Sequence, residues 1–142
     1  MIGKSEKIAV GLSGGKDSAT MLYLMKKFFS DVDIVAISVD EGISGYRDES
    51  IKKAEEFCKS INVEHHTVSF KDELNVVLDD IKTDNFCTHC GVFRRYLLNK
   101  KAHELGADKL AIAHNMDDEV QSILMNIFRG AISKFRRLGA RP

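Results

Sequence analysis

Six consecutive residues of this 142-residue chain, Ser13-Gly14-Gly15-Lys16-Asp17-Ser18, combine side-chain types that suit the binding of phosphate groups. They follow the apolar run Lys7–Leu12 and precede a segment of helical period, so they form a loop where a strand gives way to a helix. Such a loop presents backbone N–H groups and the positive end of a helix dipole to an anion. Gly14 and Gly15 let the backbone come close to phosphate oxygens, the Ser13 and Ser18 hydroxyls can donate to them, and Lys16 adds positive charge. Asp17 is the odd member. A carboxylate beside phosphate is repulsive unless a cation lies between, which points to Mg²⁺ bridging the phosphates. The spacing matches neither G-x-x-x-x-G-K-[ST] nor G-x-G-x-x-G, so neither a Walker loop nor a Rossmann dinucleotide site is expected. The plain structural alternative is a tight glycine-serine turn.

Two further stretches carry unusual chemistry. In "CTHC", Cys87 and Cys90 are two thiols at C-x-x-C spacing, followed by Gly91, and both can ligate one metal. They make half a tetrahedral zinc site or two corners of an iron–sulfur cluster, with a redox dithiol as the alternative. Cys58 falls on the apolar side of a helix and reads as a buried structural thiol. His89 reads as a solvent-facing loop residue, and His65 and His66 alternate across a strand with no function assigned to them. In "AHNMDDEVQ", Asn115, Asp117 and Asp118 open a helix just after a strand, where acids favour the helix dipole whatever else they do.

The elements that position these groups follow from periodicity. Strands are expected at Lys7–Leu12, Asp33–Asp40, Val63–Phe70, near an edge, and Asp108–His114. Between them lie a helix with Ala19, Leu22, Met25 and Phe29 inward and one from about Asp48 to Ile61 with Ile51, Ala54, Phe57, Cys58 and Ile61 inward. A third is marked by Leu74, Val77, Leu78 and Ile81. Past a CTHC loop comes a fourth, Val92–Gly106, carrying Phe93, Leu97, Leu98, Ala102 and Leu105, and a fifth runs from Asp117 to Gly130. This βα alternation predicts an α/β fold, a doubly wound parallel sheet of Rossmann-like three-layer form, with ligands beyond the carboxyl ends of the strands.

Composition bounds the rest. With 44% hydrophobic and 30% charged residues the chain fits a single globular domain, and its 21 basic and 21 acidic side chains cancel, so a generally basic nucleic-acid binder is not indicated. The charge is uneven: Arg129, Lys134, Arg136, Arg137 and Arg141 follow one another with no acid between them. They read either as a solvated end or as an approach surface for nucleic-acid phosphates. No secretory apolar region or membrane-length apolar run is present, so a cytoplasmic protein with no membrane partner is expected. The chain ends on "FRRLGARP" without a closing apolar element, as a fragment would.

The loop "SGGKDS" resembles the pyrophosphate loop of the N-type ATP pyrophosphatases, the PP-loop superfamily. "SVDEGISGYR", "CTHCGVFRR" and "AHNMDDEVQSILMNIFRG" together are similar to its tRNA 2-thiolation branch, over nearly the whole chain. The resemblance implies an adenine nucleotide alpha hydrolase-like fold and an enzyme that binds ATP and Mg²⁺. It implies that ATP is cleaved between the α and β phosphates, that the C2 oxygen of a tRNA pyrimidine is adenylated, and that sulfur then displaces AMP. Carried over residue by residue, ATP binding falls to Gly11, Ser13, Gly14, Gly15, Lys16, Asp17, Ser18, Ile37, Arg94, Ala113 and Asp118. The catalytic groups are Asp118, Lys16 and Asp17. Backbone groups of Gly11, Ile37 and Ala113 would surround the adenosine, with Val39 and Asp40 near its amine edge, and Arg94 would reach the α-phosphate or bound AMP from the start of its helix. Cys87 and Cys90 would hold a [4Fe–4S] cluster whose third cysteine lies past residue 142. The chain, 1–142, is then expected to be a catalytic domain truncated at its C-terminus and lacking flanking zinc-binding segments. Its partners would be tRNA and a sulfur donor protein or inorganic sulfide, with homodimer assembly left open. Two rival readings stay open: another PP-loop pyrophosphatase, of sulfonucleotide reductase or amidotransferase-synthetase type, and a non-catalytic nucleotide- or metal-binding module. The "CTHCGVFRR" and Asp117/Asp118 motifs argue against the first rival.

Overall fold

The computed structural model describes residue 3 and residues 5–43, 47–75 and 86–131, with the backbone alone for 86–89. The chain divides into two units, Met1–Ile112 and Ala113–Pro142, each described by itself. In the first, β1 (Lys7–Gly11), α1 (Lys16–Phe28), β2 (Asp33–Asp40), α2 (Arg47–Ser60), β3 (Glu64–Ser69), α3 (Phe70–Leu74), α4 (Phe86–Glu104) and β4 (Lys109–Ile112) follow in chain order. The strands lie in the order β3-β2-β1-β4 and every pairing is parallel, with Val10 opposite both Ala36 and Ala111.

β1 and β2 are apolar almost without interruption because both faces of the sheet are covered. Successive side chains still point to opposite faces. Ile8, Val10, Ile34 and Ala36 pack with Leu22 and Met25 of α1 and Ala54 and Cys58 of α2. Ala9, Val35, Ile37 and Val39 turn the other way and pack with Phe70, Leu97, Leu98 and Ala102. Handedness explains the arrangement. The chain moves outward from β1 through β2 to β3, so right-handed crossovers put α1 and α2 on one face; the return past β1 to β4 reverses direction and puts α4 on the other. This is the expected doubly wound sheet, and β3 is the expected edge.

Several boundaries differ from expectation, each for a physical reason. Phe29 is 40% exposed and not inward, because α1 ends at Phe28 and Phe29 leaves helical geometry at φ −121 and ψ 69. Cys87–Cys90 is no loop: α4 begins at Phe86 and includes it. No proline interrupts "FCTHCG", and the roughly 1 kcal/mol that Gly91 costs a helix is less than the continued hydrogen-bond ladder recovers. α3 is capped by Ser69 and closes at Leu74, where Asn75 adopts φ 53 and bonds back to Lys71 and Phe70; Val77, Leu78 and Ile81 lie outside the described residues. α4 ends at Glu104 and is closed through Gly106, the expected terminator. With φ +67 it lets Gly106 N–H reach His103 O at 3.0 Å and Ala107 N–H reach Ala102 O at 2.9 Å, satisfying carbonyls the helix leaves open.

The second unit contains α5 (Met116–Phe128), closed through Gly130 by the same two-bond pattern. Lys134, Arg136, Arg137 and Arg141 lie outside the described residues. Among the described residues no helix is long and apolar enough to cross a membrane.

Candidate functional site

Strand order reverses between β1 and β4, so Gly11 and Ile112 flank the carboxyl-end crevice where parallel α/β sheets take ligands. Close packing leaves little room for a side chain at position 11. A Cβ there would stand 3.1 Å from Ile112 Cγ2 and 3.5 Å from Leu98 Cδ1.

The chain leaves β1 under firm hold. Leu12 N–H donates to Ile37 O at 2.8 Å, and Ser38 Oγ donates to Leu12 O at 2.7 Å. His65 Nε2 lies 2.8 Å from that same Ser38 oxygen. With the serine hydrogen committed to Leu12, the ring nitrogen is the donor. Burial lowers the pKa of His65, Glu55 opposes the shift and His66 adds to it, so the ring is held neutral. His65, given no role from sequence, anchors the root of the loop through Ser38.

Beyond the root, Gly14 takes the left-handed conformation at φ +82, and a Cβ there would lie 2.7 Å from Ser50 O. The loop folds on its own serines. Ser18 Oγ donates to Gly15 O at 3.0 Å and accepts from Ser13 N–H at 3.2 Å. Ser13 Oγ sits 3.0 Å from Ser18 Oγ and accepts Gly15 N–H at 3.3 Å. The two hydroxyls therefore fix the shape of the loop. Gly15 is the N-cap of α1 and makes no side-chain cap bond, and the positive end of the helix dipole at this point favours an anion. Lys16 Nζ pairs with Asp17 Oδ1 at 2.8 Å, both side chains exposed.

Below the loop lies a charge cluster that sequence reasoning missed. Glu41, one residue past β2, is 1% exposed, and its carboxylate meets two arginines: Arg47 Nε at 2.7 Å and Arg94 Nη2 at 2.6 Å. The ion pairs hold both oxygens in the absence of a well-aligned hydrogen bond. Arg47 opens α2, donates from Nε to Val39 O at 2.8 Å and from Nη1 to Ser13 O at 3.1 Å, and also bonds Val39 O through Nη2. Arg94 Nη2 further contacts Cys90 Sγ at 3.7 Å. The available signal was an acid just past a strand end and an arginine at the start of the next helix, both inside "SVDEGISGYR". That α4 delivers a second arginine to the same acid was invisible.

Cys87 and Cys90 are three apart in the first turns of α4, which places them on one helix face. The Cys87 side chain is outside the described residues. Cys58 is no third ligand. It is 1% exposed in the core between α2 and the sheet, and burial pushes its thiol up to about 11. Cys58, Cys87 and Cys90 are the cysteines of these 142 residues. In the second unit, Asn115 Oδ1 accepts Asp118 N–H at 3.0 Å and Asp118 Oδ2 accepts Asn115 N–H at 2.9 Å, a reciprocal capping box at the start of α5. Gly11, Ser13–Ser18, Ile37 and Arg94 belong to the first unit; Ala113 and Asp118 belong to the second.

Residues 3–140 match the family described as the PP-loop domain. The tRNA 2-thiolation protein NcsA of Haloferax volcanii is 42% identical over 88% of this chain and 41% of its own length. The cytoplasmic tRNA 2-thiolation protein 1 of Caenorhabditis elegans is 39% identical over 94% of this chain and 38% of its own. Among solved structures, the U34-tRNA thiolase NcsA from Methanococcus maripaludis with its [4Fe-4S] cluster superposes with a TM-score of 0.84 at 44% identity, covering 92% of this chain and 45% of that one. The chain therefore spans less than half the length of these relatives.

Proposed function

Because the chain belongs to the PP-loop domain family, we propose that it is the ATP-binding catalytic domain of a cytoplasmic tRNA 2-thiolating sulfurtransferase. The observation that carries the reading is the β1–α1 loop: left-handed at Gly14, tied by its own serines, and set before the N-terminus of α1 at the strand-reversal crevice. A C2 carbonyl oxygen of a pyrimidine is a poor leaving group, and joining it to AMP makes it a good one. The loop would hold the β and γ phosphates and stabilise charge on departing pyrophosphate with donors fixed before the reaction. Mg²⁺ bound with the nucleotide would neutralise part of that charge, with Asp17 as the loop carboxylate suited to it. Asp118 is the further catalytic carboxylate on this reading, and Arg94 lies on the Cys90 side of the site. Cys87 and Cys90 would hold, as two thiolate ligands, a cluster of the kind the Methanococcus protein carries, which would supply chemistry for handling sulfur from a donor protein or inorganic sulfide.

The test uses the full-length gene product. With ATP, Mg²⁺, unmodified tRNA and a sulfide source it should release pyrophosphate and AMP in equal amounts, and nucleoside mass spectrometry should find a 2-thiopyrimidine that cells lacking the protein do not make. Release of orthophosphate alone would overturn the reading.

A further inference from the structure

We propose that Glu41 is a positioning residue that couples the phosphate loop to the cysteine helix. The inference rests on the nucleotide reading of that loop. Glu41 is the shared counter-ion of two arginines that serve different places: Arg47 grips Ser13 O at 3.1 Å, and Arg94 contacts Cys90 Sγ at 3.7 Å. Both contacts pass through one carboxylate, by separate oxygens, in a site where its side chain is 1% exposed.

Peptide geometry gives the first arm its consequence. No peptide bond in the described residues is cis, so the Ser13 carbonyl and the Gly14 N–H point in opposite directions. Holding that carbonyl on Arg47 turns the Gly14 N–H away from the arginine and commits it as a donor on the loop's other side. An anion that accepts from this N–H polarises the peptide, strengthens its carbonyl as an acceptor and draws on Arg47. Arg47 is not free to follow unless Glu41 follows, because Val39 O and Glu41 share the same guanidinium. Glu41 in turn sets Arg94 beside Cys90. Burial of Glu41 and Arg47 keeps water from screening their pair, unlike the exposed Lys16–Asp17 pair, while Arg94 reaches the same carboxylate from a half-exposed position. Such coupling is reciprocal: whatever engages the cysteine face should alter nucleotide affinity by the same factor.

Hydrogen–deuterium exchange on the full-length protein, with and without Mg²⁺ and a non-hydrolysable ATP analogue, tests this. In the wild type the analogue should slow exchange at residues 11–18 and also change it at residues 90–95. Glu41→Gln keeps shape and removes charge. At saturating analogue it should retain the first response and lose the second, with the analogue's Kd raised roughly tenfold, inside the usual span of coupling between sites. Arg47→Lys, which keeps charge but cannot fork between Val39, Ser13 and Glu41, should behave alike. A merely structural Glu41 would change baseline protection and leave the analogue-induced difference at 90–95 intact, and that result overturns the proposal. So does a wild-type response confined to 11–18, which leaves the nucleotide reading standing and needs no variant to fold. No response at 11–18 removes the nucleotide reading and the coupling with it.

Discussion

Gly14 and Gly91 are the same residue type held for opposite reasons, and substitution separates them. At Gly14 an alanine meets both a left-handed φ of +82 and the Ser50 carbonyl at 2.7 Å. Gly14→Ala should cost about 1–3 kcal/mol of stability and abolish analogue binding, seen by thermal melting and calorimetric titration. At Gly91 the nearest atom to an added Cβ is Arg95 Nη2 at 3.8 Å, inside a helix. Gly91→Ala should stabilise the fold by about 0.5–1 kcal/mol, a rise in melting temperature. Cys58 gives a third expectation. Its thiol is pushed from 9.0 to about 11 by burial, so the folded chain keeps a proton that the unfolded chain releases. Stability should therefore fall as pH climbs from about 9 to about 11, by on the order of 2 kcal/mol, and Cys58→Ala should remove that part of the slope in urea titrations. Below about pH 8, iodoacetamide should leave Cys58 unmodified until denaturant is added.

Helix ends and strand pairs carry the next layer of consequence. Asp118 has two roles to separate, since its carboxylate closes the capping box with Asn115 whether or not it also serves catalysis. Asn115→Ala removes the cap and should cost about 1 kcal/mol with pyrophosphate release largely retained. Asp118→Asn should abolish release while analogue binding persists; equal turnover in both variants would leave Asp118 a cap and nothing more. Within the sheet, His65 ties β3 to β2 and the loop root through Ser38. Burial holds its pKa below the ordinary 6.5, so as pH falls the unfolded chain takes up the proton first. The contribution of the neutral ring is complete above about pH 6.5 and is lost as pH drops through the lower folded value. Urea midpoints measured from about pH 7 to about pH 5 should decline in the wild type and decline less in His65→Gln.

Across these 142 residues the charges cancel in sum, and the run from Arg129 to Arg141, which contains no acid, is the stretch of this chain that on the proposed reading would attract tRNA. Affinity of the full-length protein for tRNA should fall linearly on a log–log plot against salt, and neutralising each phosphate-contacting arginine there should reduce the slope by about one. Composition and periodicity were sufficient for most of the architecture, because a strand covered on both faces must be apolar throughout and a helix on a sheet must repeat its apolar side chains every three to four residues. Asp33–Asp40 shows this, its observed bounds matching those read from the pattern. The conformation of the β1–α1 loop was equally legible, since its glycines, serines and helix start are neighbours in the chain. Local patterns misjudged Cys87–Cys90, where the helix simply continues, and Phe29, where it has already ended. What no sequence window contained was the meeting of Glu41, Arg47 and Arg94, or of Ser38 with His65, or the pressure of Ser50 on Gly14. Residue types and short-range spacing decide which chemistry a segment can offer. Right-handed crossovers and the β3-β2-β1-β4 order decide which distant segments meet at the buried Glu41 carboxylate, and only there does one carboxylate come to govern two arginines.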